Sequence, residues 1–474
     1  MLWDIAGVHS RGLRTVAVLA KPNGNLDMSR WNFAPRNFVD SLPLALARRA
    51  VAWHLAWAIA VIAISVLTCD TTAYAQKSKR GRAAAVSESG IHDYRSAHFL
   101  IHSDLNAKEA AELLRQLETV DKLIATYWGR PPSGILECYI AKDFSSWPAE
   151  EVAKMDPHGV AKIQEGAGVC ICMVLSQGDR FLAKAKMYSV AKDGVPLHEA
   201  VHGYCGQTFG RTGPKWYAEG MAELGHYWVN GRKGVNAPEV VIRFLKESES
   251  RELETLINLE QGTGGTWQDY AWWWFLCHLL ENNPNYSAQF RALGPELLMG
   301  KDTGFRQVFS PQIHELKFEY QFFLRHLEAG YRVDLCAWDW KKKSPPTTSP
   351  SRTIIANIQA GRGWQPLGLK VSAGTSYAYS ASGTWKPGKD VELVGADGVD
   401  NGCGRLVGII MKDYQLSEEF LLGESGIFKA PTDGVLYLRC RNRWNQLANA
   451  TGRMAVTFKL APSAAPLPVA DKTE

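Results

Sequence analysis

Two histidines four residues apart, His198 and His202, form the pattern His-Glu-x-x-His within segment 196–204. On a helix, residues i and i+4 lie one above the other, so both imidazoles can bind one metal ion. Glu199 follows the first histidine and is placed to polarise a water molecule at that ion. Two imidazoles with a carboxylate and an open fourth position favour zinc. The alternative is a helix whose histidines only pack or cap.

The third ligand is expected from the acidic segment 216–223, which follows after a short loop. A third histidine six residues after His202 is excluded, because Thr208 stands there. Glu219 and Glu223 are again four residues apart and share a helix face. One carboxylate can bind the metal, while the other orients His198 through its second ring nitrogen. The alternative is a pair of solvated glutamates on a surface helix.

An export signal precedes this region. Arg48 and Arg49 stand before the apolar run 51–67, and Ala73-Tyr-Ala75 forms an A-x-A cleavage site. We therefore expect 1–75 to be a signal peptide with its upstream segment, and the protein to be periplasmic, on the cell surface or secreted. The apolar run is shorter than the roughly 20 residues of a membrane span. An uncleaved anchor is the alternative, and it would be the sole membrane contact.

Charge and cysteine content limit which partners and which disulfides can be expected. The whole chain has 53 basic and 48 acidic residues, of which seven and four lie in segment 1–75. The near balance that remains predicts no nucleic-acid partner. Export permits disulfides, but the spacing of the cysteines does not fix a pairing. Cys170 and Cys172 lie two residues apart on a strand-like run, so they should point the same way.

The fold expected for residues 96–340 is α+β, a small sheet with a helical lobe. Segments 96–103 and 135–141 have the pattern of strands, and 107–128 has that of a helix. Residues 267–327 are helical in pattern and rich in aromatic side chains, and we expect at least two of their three consecutive tryptophans in the core.

A strand-like run, 169–175, lies just before the motif helix. As an edge strand it could pair with an extended polypeptide substrate, although a buried central strand would have the same pattern. Segment 76–95, in front of the α+β domain, is expected to be a flexible tail.

The last third of the chain has a different character. Residues 341–354 are rich in Pro, Ser and Thr, as in a linker. Short strand-like runs separated by Gly-rich turns fill 355–462, which predicts an all-β sandwich. Residues 463–474 are expected to form a flexible tail.

The two motifs together resemble the gluzincin metallopeptidases, over about residues 96–327. The Glu219-Gly-x-Ala form is similar to the aminopeptidase-type members and their exported bacterial relatives. The resemblance implies a zincin-like domain that hydrolyses peptide bonds through a metal-activated water. By motif, it implies His198, His202 and Glu219 as ligands of one catalytic zinc ion, Glu199 as general base and Glu223 as outer-shell acid.

Segment 270–281 is similar to the helix on which this family carries a tyrosine. In the family, the phenol stabilises the tetrahedral oxyanion, and Tyr270 takes that position here. The alternative role for Tyr270 is aromatic packing. The family's exopeptidase motif, a Gly-rich acidic stretch before the zinc helix, has no counterpart in this sequence, so the resemblance does not extend to recognition of a free N-terminus.

Residues from about 363 to 460 resemble a calcium-dependent galactose-binding bacterial lectin. The similarity rests on Cys403-Gly-x-Leu-Val, Gly426-Ile-Phe and the run from Leu436. The lectin's calcium loop needs a carboxylate where Asn442-Arg443 stands, and calcium requires such oxygen ligands. We therefore favour a docking or stability module over calcium-dependent binding of a carbohydrate or cell-surface ligand, which stays open as the alternative.

The sequence thus predicts an exported zinc metallopeptidase that acts on proteins or peptides. The alternative is a non-catalytic surface protein that binds glycans or peptides through a degenerate peptidase domain and the β-sandwich. The complete set of motif residues favours the enzyme, because a binding scaffold has no need of all of them.

Overall fold

The computed structural model describes residues 90–177, 180–192, 194–258, 265–301, 304–346 and 352–462. The expected signal segment 1–75 and the expected tail 463–474 lie outside these ranges. Within them, no helix combines the length and the apolar character that a membrane crossing requires.

A mixed sheet and a set of helices form the part of the chain before residue 340. The strands are β1 (His92–Arg95), β2 (Phe99–Ser103), β3 (Leu136–Ala141), β4 (Gly168–Gln177) and β5 (Arg180–Val190). The helices are α1 (Ala107–Trp128), α2 (Ala149–Val152), α3 (Pro157–Gln164), α4 (Val195–Phe209), α5 (Lys215–His226), α6 (Glu239–Glu247), α7 (Leu253–Asn258), α8 (Trp267–Asn282), α9 (Ser287–Leu298), α10 (Phe305–Phe309), α11 (Ile313–Arg325) and α12 (Val333–Cys336). Strand β1 lies inside segment 76–95, which was expected to be a flexible tail. Its residues form a strand because their backbone pairs antiparallel with β2.

The strand order of this sheet is β1-β2-β3-β5-β4. The central strands β2, β3 and β5 run parallel, and the outer strands β1 and β4 are antiparallel to their neighbours. β4 is therefore an edge strand, and the alternative of a central strand is wrong. Cys170 and Cys172 face the main core on one side of β4, and Val169 and Ile171 pack on the other. The cysteines of the described ranges are free thiols.

The main apolar core lies between the sheet and the helices, and α8 runs through it. Trp272, Trp273 and Trp274 are each 1% exposed, so all three belong to the core. Thr266 and Asp269 form a capping box that starts α8. At α1, whose bounds match the predicted helix, the Asn106 side chain accepts backbone hydrogen bonds in the same manner.

Two antiparallel sheets form the part of the chain after residue 352. The strands are β6 (Ile354–Gln359), β7 (Gln365–Val371), β8 (Ser376–Lys386), β9 (Leu406–Lys412), β10 (Gln415–Leu416), β11 (Phe420–Leu421), β12 (Ser425–Lys429), β13 (Gly434–Cys440) and β14 (Thr451–Leu460). One sheet has the order β10-β9-β13-β7, with β11 also on β9, and the other has β12-β8-β14-β6. Both contribute to one core, for example Ile410 and Leu436 from the first and Ile358 and Met454 from the second. The sheets therefore pack face to face.

An aromatic seam joins the two parts of the described chain. Its buried members are Phe322, Trp338, Trp364, Val407, Ile409, Met411 and Tyr437. The Trp338 ring lies 5.5 Å from the Phe322 ring and 4.7 Å from the Tyr437 ring, between centroids. Beside the seam, the backbone N–H of Asn445 donates to Glu328 Oε1 at 3.0 Å. The loop after β13 is thereby fixed to the chain that follows α11.

Replacing Trp338 by alanine should lower the free energy of unfolding by about 3–5 kcal/mol, because it empties the centre of the seam. Ile427→Ala is the control, since Ile427 is 71% exposed and its loss should change stability by less than about 0.5 kcal/mol. Urea unfolding followed by circular dichroism measures both. Equal stabilities for the two variants would contradict a shared core.

Candidate functional site

Helix α4 carries both motif histidines and is buried along almost its whole length. Pro196 lies in its first turn, where a missing N–H breaks no helical hydrogen bond. Gly210 ends the helix in the left-handed conformation, with φ of 70°. Gly206 lies inside the helix, where a Cβ would be 2.1 Å from Cys172 Sγ. Glycine there lets α4 pack closely on β4.

Three donor atoms converge where α4 meets α5. His198 Nε2 lies 3.1 Å from His202 Nε2, and Glu219 Oε2 lies 3.4 Å and 3.3 Å from these two nitrogens. The three residues are between 2% and 6% exposed. Helix α4 contributes both histidines, which the i, i+4 spacing brings together. Helix α5 contributes Glu219 at the point where it crosses α4. This buried group has the donor types and the mutual distances to hold a metal ion.

The second glutamate of α5 lies behind His198. Glu223 Oε1 is 3.1 Å from His198 Nδ1, and Glu223 Oε2 is 3.3 Å from His226 Nδ1. The carboxylate thus lies within ion-pair distance of the ring nitrogen of His198 that faces away from Glu219. This contact directs the other nitrogen, Nε2, towards the converging group. His226 was not singled out from the sequence.

Glu199 lies on α4 between the two histidines and is 2% exposed. Its side chain packs against the first residue of β4. A Cβ on Gly168 would lie 2.8 Å from Glu199 Cγ and 3.1 Å from Glu199 Oε1. The edge strand therefore begins against the Glu199 carboxylate, which the motif predicts to lie beside a metal ion. A side chain at position 168 would meet Glu199 at this point.

The charges of the site depend on one another. Burial raises the pKa of the Glu219 carboxyl, but His202 and His198 outweigh this and lower it to about 2. Burial lowers the pKa of His198, yet its contacts with Glu219 and Glu223 raise it well above the usual range. Burial raises the pKa of Glu199, and the two nearby histidines only partly offset this. Glu219 and Glu223 thus favour a positive charge at His198.

Tyr270 comes from α8 and lies beside the same group. Its ring meets the His198 ring edge-on, at 6.2 Å between centroids and an interplanar angle of 87°. The tyrosine is 4% exposed and also contacts the Trp273 ring. Tyr270 is therefore brought to the site, and it packs in the core as well.

The loop after β13 has its polar groups engaged within the protein. Asn442 Nδ2 donates to Pro387 O at 3.1 Å and to Ala360 O at 3.3 Å, and its Oδ1 accepts from Arg439. The Arg439 guanidinium lies 3.6 Å from the centre of the Trp444 ring. The amide of Asn442 and the guanidinium of Arg439 thus make internal contacts, and residues 441–443 contain no carboxylate that could bind calcium.

Sequence reasoning missed His226 and Gly168. The spacing could have indicated His226, because it lies three residues after Glu223 on one helix and so shares its face. Gly168 could not be found in this way, because its contact with Glu199 exists only after β4 packs on α4.

The comparisons with known proteins give little support to any assignment. No family model matches the chain, and no curated protein matches it. One solved structure, described as "EclA N-terminal domain; PllA-like lectin", is 18% identical to this chain with a TM-score of 0.20, and the match covers 23% of this chain and 95% of that chain. A TM-score of this size does not establish a shared fold, so function rests on the site itself.

Proposed function

We propose that this protein is an exported zinc-dependent metallopeptidase of the gluzincin type. The observation that carries the proposal is the triangle of His198 Nε2, His202 Nε2 and Glu219 Oε2. Ligand atoms bound to tetrahedral zinc at about 2.0–2.1 Å lie about 3.3–3.4 Å from one another. The triangle has sides of 3.1, 3.3 and 3.4 Å. Two imidazoles and one carboxylate also leave a fourth position open, as in hydrolytic zinc sites.

The side chains around the triangle have the parts that amide hydrolysis requires. When bound, zinc would polarise the attacking water and the substrate carbonyl. Glu199 takes the proton of the water and passes it to the leaving amine. Glu223 holds His198 in the tautomer that points its Nε2 lone pair into the site. Tyr270, whose ring meets the His198 ring edge-on, would donate a hydrogen bond to the developing oxyanion.

A polypeptide substrate is favoured by the position of β4. This edge strand is hydrogen-bonded by β5 on one side, so its other edge can accept an extended chain as an added strand. Gly168 at its start packs on Glu199, so a chain lying along the edge is led to the general base. Met173 and Leu175, further along, are 58% and 53% exposed and offer apolar contacts for substrate side chains. Export is supported by the pattern of 48–75, which lies outside the described residues.

Glu199→Gln tests the proposal directly. Hydrolysis of casein or of a peptide library should fall by about 10²–10⁴-fold, because glutamine cannot accept the proton of the water. Zinc content, measured by mass spectrometry of the metal, should stay unchanged. Zinc binding without any Glu199-dependent hydrolysis would instead support the alternative, a non-catalytic surface protein that binds glycans or peptides.

Gly168→Ala should reduce hydrolysis while zinc stays bound. The new methyl group meets Glu199 Cγ at 2.8 Å and Val195 Cγ1 at 3.0 Å, so the base must move. A misplacement of about 1 Å can lower kcat/KM by on the order of 10²-fold. Gly304→Ala is the matched control, because a Cβ there has nothing within 4 Å. Equal activity of the two variants would show that Gly168 does not position Glu199.

We further propose that the β-sheet part stabilises the enzyme and does not bind galactose through calcium. Its loop after β13 is committed to internal contacts through Asn442 and to the preceding part through Asn445. The protein should pass through immobilised galactose without retention, with or without calcium. Retention that depends on calcium and is competed by free galactose would overturn this assignment.

A further inference from the structure

A second group of metal-ligand side chains lies where β2 begins beside α1, outside the site described above. It consists of His98, just before β2, and of Glu118 and Asp121 on α1. One donor atom from each lies within 4.8 Å of the others. The two acids are three residues apart on a helix, so they present their carboxylates on the same face.

The imidazole is held against both carboxylates. His98 Nδ1 lies 2.8 Å from Glu118 Oε2 and 3.6 Å from Asp121 Oδ2. The backbone N–H of His98 donates to the other Glu118 oxygen at 2.8 Å, which fixes the carboxylate towards β2. Ligand atoms at about 2.0–2.2 Å from one small divalent cation lie about 2.8–3.6 Å from one another, depending on the coordination angle, and the two distances span that range.

Asp121 gives independent evidence of a ligand. It is 5% exposed, and its Oδ2 has no hydrogen-bond partner in the described part of the chain. Buried polar atoms are nearly always satisfied, and a buried carboxylate without a partner is costly. A cation next to Oδ2 would satisfy it.

A ligand can reach these side chains from solvent. A cavity of about 730 Å³ is lined by all three residues, and the His98 side chain is 38% exposed. Three basic residues also line this cavity: Arg115, Lys122 and Arg130. Arg115 is engaged by Glu112, and the Arg130 guanidinium packs over the Phe209 ring. The charged groups that contact the imidazole itself are the two carboxylates, so negative charge is concentrated at its Nδ1 for a cation to neutralise, while Lys122 lies elsewhere on the cavity lining.

We propose that His98, Glu118 and Asp121 form a second metal site, which binds a divalent transition cation such as zinc. The imidazole favours zinc over calcium, which prefers a full set of oxygen ligands. A cation here would tie β2 to α1. The last residue of α1, Trp128, stacks on Tyr204 of α4, so the second site would also brace the helix that carries the first.

Zinc stoichiometry tests the second site on the full chain. Equilibrium dialysis against free Zn²⁺ should give two ions for the unchanged protein and one for Asp121→Asn. His202→Ala should also bind one ion, and the double variant none. His102→Gln is the matched control, because His102 lies on β2, directly after His98, and pairs with the exposed Asp93 at 2.7 Å. This control should bind as much zinc as the unchanged protein.

Asp121→Asn with the same zinc uptake as the unchanged protein would overturn the proposal, since His98 would then only form ion pairs. Loss of zinc in Asp121→Asn but not in His202→Ala would overturn the first site and keep the second. Asp121→Asn removes an unsatisfied buried carboxylate, so it should fold at least as well without metal. If it does not fold, His98→Gln carries the same comparison, and zinc should raise the Tm of His202→Ala but not that of His202→Ala/His98→Gln.

Discussion

The burial of one carboxylate between two imidazoles is the constraint on which the rest of the site depends. Glu219 is 3% exposed, and an isolated carboxylate at such a place would cost several kcal/mol. His198 and His202 supply the opposing polar groups, so α4 and α5 can be close-packed only in the register that brings them together. That register also sets Glu223 behind His198. The geometry suited to a metal ion and the packing of the two helices are therefore the same requirement.

The elements packed around α4 and α5 also contribute residues to the site. Strand β4 covers α4 and begins with Gly168 against Glu199. Helix α8 brings Tyr270 to His198 and fills the core with tryptophans. Residues of α4, α5, β4 and α8 thus meet at one site, although about a hundred residues of chain separate Gly168 from Tyr270. A rigid aromatic core is the usual means of holding such a group in place.

The sequence predicts the parts of this site that are local on a helix. The pairs His198–His202 and Glu219–Glu223 each follow from i, i+4 spacing, and the bounds of α1 follow from its periodicity. The group of His98 with Glu118 and Asp121 escapes such reasoning, because twenty residues and a change from strand to helix separate its members. Strand β1 escapes it for the same reason. It is stable only through pairing with β2, and four residues have too little pattern of their own.

The edge position of β4 could be weighed from sequence but not decided, because buried central and edge strands can both be apolar runs. The order of the sheet decides it, and that order depends on contacts between distant segments. In the β-sheet part, the strand runs are visible from alternation and glycine turns. The use of Asn445 and Trp444 at the junction with the preceding part is visible only in three dimensions.

The aromatic seam also determines how the polypeptide would respond to a break in its backbone. Trp338 precedes the Pro-rich stretch, yet it packs on Tyr437 far beyond it. A protease that nicks the chain near Pro346 would therefore leave two fragments held together by buried rings, and an electrophoretic band shift need not mean inactivation. Expressing the N-terminal fragment alone would expose Phe322 and its apolar neighbours to water, which favours aggregation.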